Sequence, residues 1–304
     1  MDFADAYAEQ GYVIFERLIP AAKIDAVLRS LEQFKRAGLP YYSQSIHRWI
    51  RPEIDAQGFM RESMENFNCL FLSRGLARAG QAVLLGAEVQ GALRALHPRR
   101  KDFVQWQSML FDRSTGTVDH YDSWYLDTLP EGHLTAAWVA LEDIDPDCGP
   151  FRVYPGSHRH FAGNPLDGLS HDDFRRECAS YAAEHPHQPA LLKKGDVLFW
   201  HPWLLHGALE QANEQHSRKS LTSHYYPLGF ARKGEDAALA ADSPLRRLRR
   251  ALDYPVRRAG LPLYSIKNRY ANFIFNAAGW LSYAWGGLKR PAKVHMDMRR
   301  RSYE

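Results

Sequence analysis

The 304-residue sequence contains only three cysteines, Cys69, Cys148 and Cys178, and they lie far apart in the chain. An odd number of cysteines without a C-x-x-C spacing indicates neither a disulfide framework nor a zinc ribbon. The N-terminus, MDFADAYAEQGYVIFERL, also lacks the basic start and the apolar run of a secretory signal. We therefore expect a cytoplasmic protein that depends on neither disulfides nor structural zinc.

The sequence has no internal repeat and no low-complexity linker. Its hydrophobic fraction of 45% and charged fraction of 24% are those of an ordinary globular protein. The length permits two domains, but barrels and sandwiches with helical extensions often reach this size as one domain. We expect a single domain over residues 1–304.

The net charge of +4 is unevenly distributed along the chain. From Arg246 to Glu304 there are 14 Lys and Arg against 3 Asp and Glu, a net charge of +11, which leaves −7 for the preceding residues. A basic tail on an acidic body either meets an anionic surface, carrier protein or substrate, or is a solvated face without a partner. We expect no nucleic-acid partner.

Within this tail, Tyr270 to Leu288 is a stretch of nineteen residues without a charge. Length alone would allow a membrane span, but two asparagines, three glycines and many aromatic residues argue against one. A packed or dimerising helix and an interfacial segment both remain open. Peripheral membrane contact through residues 270–301 is therefore one interpretation of the basic tail.

The first hundred residues have the patterns of helices. We predict a helix from Asp5 to Gln10 that stops at Gly11, a strand from Tyr12 to Arg17, and a helix from Pro20 to Lys35. The Ala- and Leu-rich stretch from Cys69 to Leu96 predicts further helix.

From Asp102 onward, short apolar runs alternate with turn signals. These runs are FVQWQSMLF, HLTAAWVALEDI, GPFRVYPGSH, LLKKGDVLFWHPW and RKSLTSHYYPL. Several short strands separated by Gly, Pro and Asp indicate a sandwich or a barrel. We therefore expect a helical N-terminal support (1–100), a central β core (101–230) and a basic, partly helical C-terminal extension (231–304).

His120 and Asp122 form an H-x-D pair after a predicted strand. Residues i and i+2 on extended backbone point to the same side, so an imidazole and a carboxylate can approach one metal ion. With a second histidine from elsewhere they would form the open facial triad of non-haem Fe(II) oxygenases. The spacing alone also fits two surface residues in a turn. The run KKGDVLFWHPWLLHG offers two candidates for the third ligand, His201 and His206.

The strand RKSLTSHYYPL begins with Arg218, and its alternation places Arg218, Ser220 and Thr222 on one face. A keto acid that chelates a metal has a second carboxylate some distance away. A fixed guanidinium would bind that carboxylate through two points, as lysine cannot. The alternative is an exposed arginine at a strand end.

Four blocks, HYD, AWVALEDIDPDCGPFRVYPGSH, KKGDVLFWHPWLLHG and RKSLTSHYY, resemble the phytanoyl-CoA dioxygenase family of Fe(II)/2-oxoglutarate oxygenases. The N-terminal YAEQGYVIFERLIPAAKIDAV resembles that family's opening strand and helix. The resemblance covers about 130 of 304 residues and leaves 36–100 and 230–304 without guidance. It implies a mainly β fold with flanking helices, a double-stranded β-helix (jelly roll, or cupin-like barrel).

By position, the resemblance implies that His120, Asp122 and His206 hold the iron, with His201 as the second choice for the distal histidine. It implies that Arg218 binds the far carboxylate of 2-oxoglutarate and that Trp138 lines the same pocket. Further co-substrate contacts are expected, mainly from strand facing, at Gln107, Thr135 and Ser220.

The implied cofactors are Fe(II), 2-oxoglutarate and O2, and the implied reaction hydroxylates an unactivated C–H bond with release of succinate and CO2. Desaturation and ring closure use the same site. Related halogenases lack the carboxylate, so Asp122 argues against halogenation. The expected substrate is a small-molecule, acyl or lipid-like compound, and the basic tail favours an anionic or carrier-bound one. A non-oxidative metal-dependent barrel enzyme and a jelly-roll binding protein with a degenerate site are the rival hypotheses.

Other conspicuous residues have simpler interpretations. His158 of PGSH is expected to stabilise a turn, and His185 and His187 are expected to be solvated loop residues. Four aromatic residues near the predicted centre either line a substrate pocket or belong to the core: Trp124, Tyr125, Trp200 and Trp203.

Overall fold

The structure of the protein, a computed structural model, describes residues 2–67, 70, 72–233, 264–265 and 281. Its helices are α1 (Phe3–Gln10), α2 (Ala21–Ala37), α3 (Arg74–Leu84), α4 (Ala87–Leu96), α5 (Ser157–His160) and α6 (His171–Glu184). Its strands are β1 (Tyr12–Phe15), β2 (Tyr41–Tyr42), β3 (Trp49–Ile50), β4 (Met64–Glu65), β5 (Phe103–Phe111), β6 (Thr128–Leu129), β7 (Thr135–Ala140), β8 (Phe151–Val153), β9 (Gln188–Pro189), β10 (Val197–Trp200), β11 (His206–Ala208), β12 (Ser220–Pro227), β13 (Ala231–Arg232) and β14 (Tyr264–Ser265).

The described strands form a larger sheet, a smaller sheet and two two-stranded pairs, β2 with β3 and β6 with β13. The larger sheet has the order β1-β10-β7-β12-β5-β14, and β4 also pairs with β5. Its pairings are antiparallel except that of β14, which runs parallel to β5. The smaller sheet has the order β11-β8-β9, and a β-bridge between His120 and His206 extends it. Neighbours in the sheets are often distant in sequence, so the fold brings separated segments together.

Strand β7 shows how the sequence builds the layers. Side chains alternate across a strand, and here Ala136, Trp138 and Ala140 belong to an apolar cluster shared with the smaller sheet. Ala137 and Val139 belong to the cluster shared with the helices. Every residue of β7 is buried, because both faces of the larger sheet are covered.

Helices α1 to α4 lie on the outer face of the larger sheet. Helix α2 buries Ile24, Val27, Leu31 and Phe34 at helical spacing, as its sequence pattern predicts. Helix α1 ends at Gly11, whose φ of 78° is the left-handed conformation expected at a helix end. None of the helices in the described part of the chain has the length and apolar character that a membrane span requires. The predicted tail helix at 270–288 lies outside the described residues, except for Leu281.

Two boundaries of the sequence prediction are wrong. The helix predicted from Cys69 begins at Arg74, and the helical stretch to Leu96 is interrupted after Leu84, where Gly86, with an extended ψ of 162°, precedes α4. The strand that starts at Tyr12 ends at Phe15, and Arg17 has a positive φ of 50°.

Helix α6 was not predicted, although its sequence has a helix-start signal. The side chain of Ser170 accepts a hydrogen bond from the backbone N–H of Asp173, and Phe174 and Cys178 are buried one turn apart. The S-x-x-D spacing before an apolar i, i+4 pair was the usable signal.

Two helical glycines provide a matched test of the packing between α3 and the β4 region. A Cβ on Gly80 would lie 2.0 Å from Cε2 of the buried Phe67, whereas a Cβ on Gly91 would meet no described atom within 4 Å. We predict that Gly80→Ala lowers the free energy of unfolding by about 1–3 kcal/mol through overpacking. Gly91→Ala should raise it by roughly 0.5–1 kcal/mol, because alanine is the better helix former.

Urea denaturation of the two variants beside the parent would measure both effects. Equal stabilities for the two alanine variants would contradict the packing described for Phe67.

Candidate metal centre

His120, Asp122 and His206 converge at one end of the smaller sheet. The backbone N–H of His120 donates to the carbonyl of His206, and the N–H of His206 donates back to His120, each over 2.9 Å. Nε2 of His120 lies 3.7 Å from Oδ1 of Asp122, and Nε2 of His206 lies 3.6 Å from the same oxygen. Their ligand atoms all lie within 4.8 Å of one another, and no other such group of three is found among the described residues.

The two imidazole rings are oriented by backbone carbonyls. Nδ1 of His120 lies 2.8 Å from the Val118 carbonyl, and Nδ1 of His206 lies 2.9 Å from the Leu204 carbonyl. Because a carbonyl only accepts, each Nδ1 must be the protonated donor. Each Nε2 therefore presents its lone pair towards Asp122, as in metal sites whose histidines are held through the other nitrogen.

The ionisation states suit metal binding. Burial lowers the pKa of His120 to about 3, with His206 as a further cause, and burial also lowers the pKa of His206. Burial alone would raise the pKa of Asp122, but the His224, His206 and His120 imidazoles outweigh it and hold that pKa below its usual range. Two neutral imidazoles and one carboxylate are the protonation states that a metal ion requires.

The triad opens into a cavity of about 330 Å³. Much of its wall is apolar or aromatic, with Met109, Phe111, Tyr125, Trp138, Phe151 and Trp200. Its polar groups besides the triad and Arg218 include Gln44, His47, Gln107, Thr222 and His224. The cavity lies at the small end of the range for ligand pockets and has the usual mixture of apolar wall and few polar groups.

Arg218 also lines this cavity and is buried, with 3% of its surface exposed. Its guanidinium lies 5.9 Å from the ring of Trp138, which stacks on Phe151, and Phe151 in turn contacts the ring of His206. An aromatic wall thus connects the arginine to the triad.

Within the described part of the chain, Arg218 has no carboxylate partner. Its Nη1 donates to the Gly149 carbonyl over 3.1 Å, and its Nε has no partner. Burial lowers the pKa of Arg218 to about 10, so the group is still charged at neutral pH. A buried cation without a counter-charge is costly. The site therefore fits an anionic ligand that the protein itself does not supply.

The remaining sequence candidates fall into two groups. Trp138 and Gln107 line the cavity. Ser220 is fully buried, and its Oγ has no hydrogen-bond partner among the described residues. It lies two positions from Arg218, on the same face of the strand, but it is not among the described residues that line the cavity.

The structure does not bring Thr135 to the cavity. Its Oγ1 lies 2.7 Å from Nε2 of His97 and accepts from the Tyr7 hydroxyl over 3.4 Å, on the helix side of the sheet. The reason is parity: Thr135 and Trp138 are three positions apart, so they face opposite sides of a regular strand. Ala and Thr occur on either face of a strand, so the composition of this run did not indicate which face Thr135 lies on.

Two cavity residues on β12 were missed as site candidates. Thr222 and His224 continue the alternation that starts at Arg218, and both line the cavity. Nε2 of His224 lies 3.3 Å from Oδ2 of Asp122. The predicted alternation already placed Thr222 on the face of Arg218 and Ser220, and one further step would have found His224. Gln44 and His47 carried no comparable signal.

The PGSH turn supports the centre from outside. Gly156 adopts a φ of 81°, and Oγ of Ser157 accepts from the backbone N–H of Leu205, next to His206. Nε2 of His158 lies 3.0 Å from the Ala8 carbonyl at the end of α1. His158 thus has the turn-stabilising role expected of it.

Three further histidines singled out in the sequence, His201, His185 and His187, lie away from the triad. Nδ1 of His201 accepts from the backbone N–H of Trp203, and its ring lies near Tyr7 and His158. His185 stacks on Tyr181, and both His185 and His187 are exposed. Of the two candidates for the distal histidine, the structure brings His206 to His120 and Asp122.

Comparison with known families gives one match that spans most of the described core. The family model described as Phytanoyl-CoA dioxygenase (PhyH) matches residues 7–220. Among curated proteins, the peroxisomal phytanoyl-CoA dioxygenase of Rattus norvegicus is 30% identical over 115 residues, which are 35% of this chain and 32% of that protein. The chain thus spans about a third of the length of the curated relatives it matches.

Solved structures of similar fold include two from nogalamycin biosynthesis. The non-heme alpha ketoglutarate dependent carbocyclase SnoK is 17% identical with a TM-score of 0.58, over 78% of this chain and 89% of its own. The epimerase SnoN, in complex with Fe3+, alpha ketoglutarate and nogalamycin RO, is 17% identical with a TM-score of 0.58, over 86% of this chain and 94% of its own. This likeness confirms the mainly β jelly-roll fold with flanking helices.

Metal binding tests the triad directly. We predict that Asp122→Ala and His206→Ala each weaken Co(II) or anaerobic Fe(II) binding by more than about 100-fold, since loss of a mere supporting group already costs 10–100-fold. His201→Ala should bind like the parent, because His201 lies elsewhere. Isothermal titration would measure the affinities. Equal losses for His201→Ala and His206→Ala would contradict the assignment.

Stability should depend on pH through two partly buried histidines outside the triad, His97 and His201. Burial lowers the pKa of His97 to about 4 and that of His201 to about 3, from 6.5. Their neutral forms thus stabilise the fold fully above pH 6.5. This contribution to stability is lost as the pH falls from 6.5 towards the pKa values of the two histidines in the folded protein. Each should cost roughly 1–2 kcal/mol between pH 7 and 5.

Urea denaturation at pH 7 and pH 5 would measure this loss, and His97→Gln should reduce it. A parent protein equally stable at both pH values would refute the burial of neutral imidazoles.

Proposed function

This chain belongs to the phytanoyl-CoA dioxygenase family, and we propose that it is a 2-oxoglutarate-dependent non-haem iron dioxygenase. The proposed iron ligands are His120, Asp122 and His206. The proposed reaction hydroxylates a C–H bond of a small-molecule, acyl or natural-product substrate and converts 2-oxoglutarate and O2 into succinate and CO2. The curated relatives are matched over a third of their length, so their names alone do not carry this proposal.

The observation that carries the proposal is a metal-ligand triad that shares one cavity with a buried arginine, which has no carboxylate partner among the described residues. Arg218 is a two-point donor for a carboxylate, and its Nε has no partner among the described residues. A metal site alone does not need such a group. A dicarboxylate that meets the metal with its keto-acid end and Arg218 with its far carboxylate accounts for both.

Iron, when bound, would supply the activation of O2 and the oxidation of 2-oxoglutarate to succinate. The three protein ligands come from one side and leave the remaining positions to other molecules. Arg218 orients the co-substrate through its far carboxylate, and the ring of Trp138 packs beside it. Gln107 and Ser220 are proposed as further polar contacts. Thr135 is left out because it faces the helices.

The apolar cavity wall has a second role, because it excludes water from the reacting atoms. Phe111, Phe151 and Trp200 line the cavity beside the polar groups. A dry site strengthens the electrostatic contacts of the ligand and limits side reactions of the oxidant. The protein thus contributes positioning and shielding, and the metal carries the oxidation.

The charges in the cavity also bear on the substrate. Apart from its histidines, the described lining of the cavity holds one carboxylate, Asp122, and one guanidinium, Arg218. Together with Fe(II) and the 2-oxoglutarate dianion their charges cancel, so a charged substrate group would enter without a counter-charge. We propose that the part of the substrate that reaches the metal is uncharged. An anionic or carrier-attached portion, if present, would stay outside the cavity.

Two rival functions are less well supported. A non-oxidative metal enzyme would explain the triad but leaves the buried charge of Arg218 without a purpose. A binding protein with a degenerate site does not fit, because all three ligand side chains are present and correctly turned. The cytoplasmic location stays a prediction from the sequence.

Substitution of Arg218 tests the proposal. The parent, loaded anaerobically with Fe(II), should release succinate from 2-oxoglutarate once O2 is admitted, even without substrate. We predict that Arg218→Met raises the KM for 2-oxoglutarate about 10- to 150-fold, the equivalent of roughly 1.5–3 kcal/mol for a charged hydrogen bond. The metal-free variant should be as stable as the parent or more so, because an unpaired buried charge is removed.

Arg113→Met is the matched control. Arg113 is also partly buried, but it pairs with Asp55 and does not line the cavity among the described residues. Its KM for 2-oxoglutarate should equal that of the parent. An unchanged KM in Arg218→Met would leave the co-substrate proposal without its support, and succinate release by Asp122→Ala at the parent rate would refute the oxygenase.

A further inference from the structure

The two oxygens of Asp122 have different surroundings. Oδ1 faces Nε2 of His120 and Nε2 of His206, at 3.7 and 3.6 Å. Oδ2 accepts a hydrogen bond of 2.9 Å from the indole Nε1 of Trp200. Nε2 of His224 lies 3.3 Å from the same Oδ2. One oxygen is therefore directed to the candidate metal position, and the other is occupied by protein groups.

From this arrangement we infer that Trp200 is a positioning residue whose N–H holds Oδ2 of Asp122, while Nε2 of His224 lies against the same oxygen without a hydrogen bond, so that the carboxylate offers a metal ion Oδ1 alone. The inference rests on the proposed metal centre, but not on the identity of the substrate. It assigns a purpose to a tryptophan that the sequence pattern left undecided between core and pocket.

The position of Trp200 is fixed by its strand. It is the last residue of β10 and pairs with Ala136 on one side and Tyr12 on the other. It is 1% exposed, so its indole N–H needs a partner inside the protein. That partner is the carboxylate, which makes the hydrogen bond charge-assisted and stronger than a neutral one. The paired strand thus holds the indole in place, and the indole in turn holds the carboxylate of Asp122.

The consequence concerns the number of positions left at the metal. A chelating keto acid needs two coordination positions, and O2 needs one more. In a six-coordinate site, three protein ligands that each bind through a single atom leave these three positions open. A carboxylate free to rotate could bind through both oxygens and take one of them. Groups that hold a ligand in this way commonly change metal affinity by 10–100-fold when they are removed.

Packing alone is the competing explanation, because Trp200 also belongs to the apolar cluster between the sheets. Trp200→Phe separates the two, since it keeps an aromatic ring and removes the N–H. Trp203→Phe is a matched control with the same chemical change. The indole of Trp203 donates to Oγ of Ser123 over 3.1 Å, next to Asp122 in sequence but not to its carboxylate.

The experiment uses Co(II) as the probe, with affinity from titration and the ligand geometry from the visible absorption spectrum. We expect Trp200→Phe to bind Co(II) about 10- to 100-fold more weakly, with an altered spectrum. Trp203→Phe should keep both the affinity and the spectrum. Circular dichroism would verify that both variants are folded. Equal behaviour of the two variants in both readouts would overturn the inference.

His224 supplies an independent check on the same oxygen. His224→Gln keeps a polar side chain of similar reach beside Oδ2, whereas His224→Phe places an apolar ring there. We expect the glutamine variant to retain the parent spectrum with Co(II), and the phenylalanine variant to add to the effect of Trp200→Phe. If the phenylalanine variant matched the parent, the role of His224 would be refuted.

These measurements separate the inference from the proposed function. Co(II) binding requires neither turnover nor 2-oxoglutarate, so normal Co(II) results without succinate release from the Fe(II) protein would refute the function alone. Succinate release with identical Co(II) spectra in Trp200→Phe and the parent would refute the positioning role alone.

Discussion

The candidate site depends on two backbone hydrogen bonds that join His120 to His206. The two residues are far apart in sequence, and their bridge is the final pairing of the smaller sheet. It places both imidazoles side by side before any metal arrives, while the carbonyls of Val118 and Leu204 fix the rotation of each ring. Because the backbone sets this geometry, side-chain entropy contributes little to the cost of forming the triad.

The second constraint is electrostatic. Asp122 and Arg218 are both buried, yet the arginine is not paired with a carboxylate among the described residues. A protein selected for stability alone would pair or remove such a charge, because an apolar residue in its place is commonly neutral or stabilising. The cavity thus keeps a destabilising feature that a dicarboxylate would relieve. Arg218 therefore lowers the stability of the fold but favours binding of an anionic ligand, a trade-off that is common at functional sites.

Much of this could be predicted from the sequence because the signals are periodic. The i, i+2 spacing of His120 and Asp122 and the alternation from Arg218 onward follow from strand geometry, and the resemblance selected His206 over His201. Prediction failed where periodicity was ambiguous. Thr135 lies in an apolar run whose two faces are both buried, so its composition did not reveal which way it faces. Gly86 divided a helix that composition alone extended to Leu96.

The sequence did not predict the part of the cavity wall that lies outside the paired strands. Gln44 and His47 line it from a stretch of very short strands and irregular chain, where neither helical nor strand periodicity exists to place a side chain. The metal side of the cavity, in contrast, is built on paired strands. The two histidines of the candidate metal centre are therefore held by strand pairing, whereas Gln44 and His47 are held by irregular chain. The lining residues with the least sequence signal are those outside regular secondary structure.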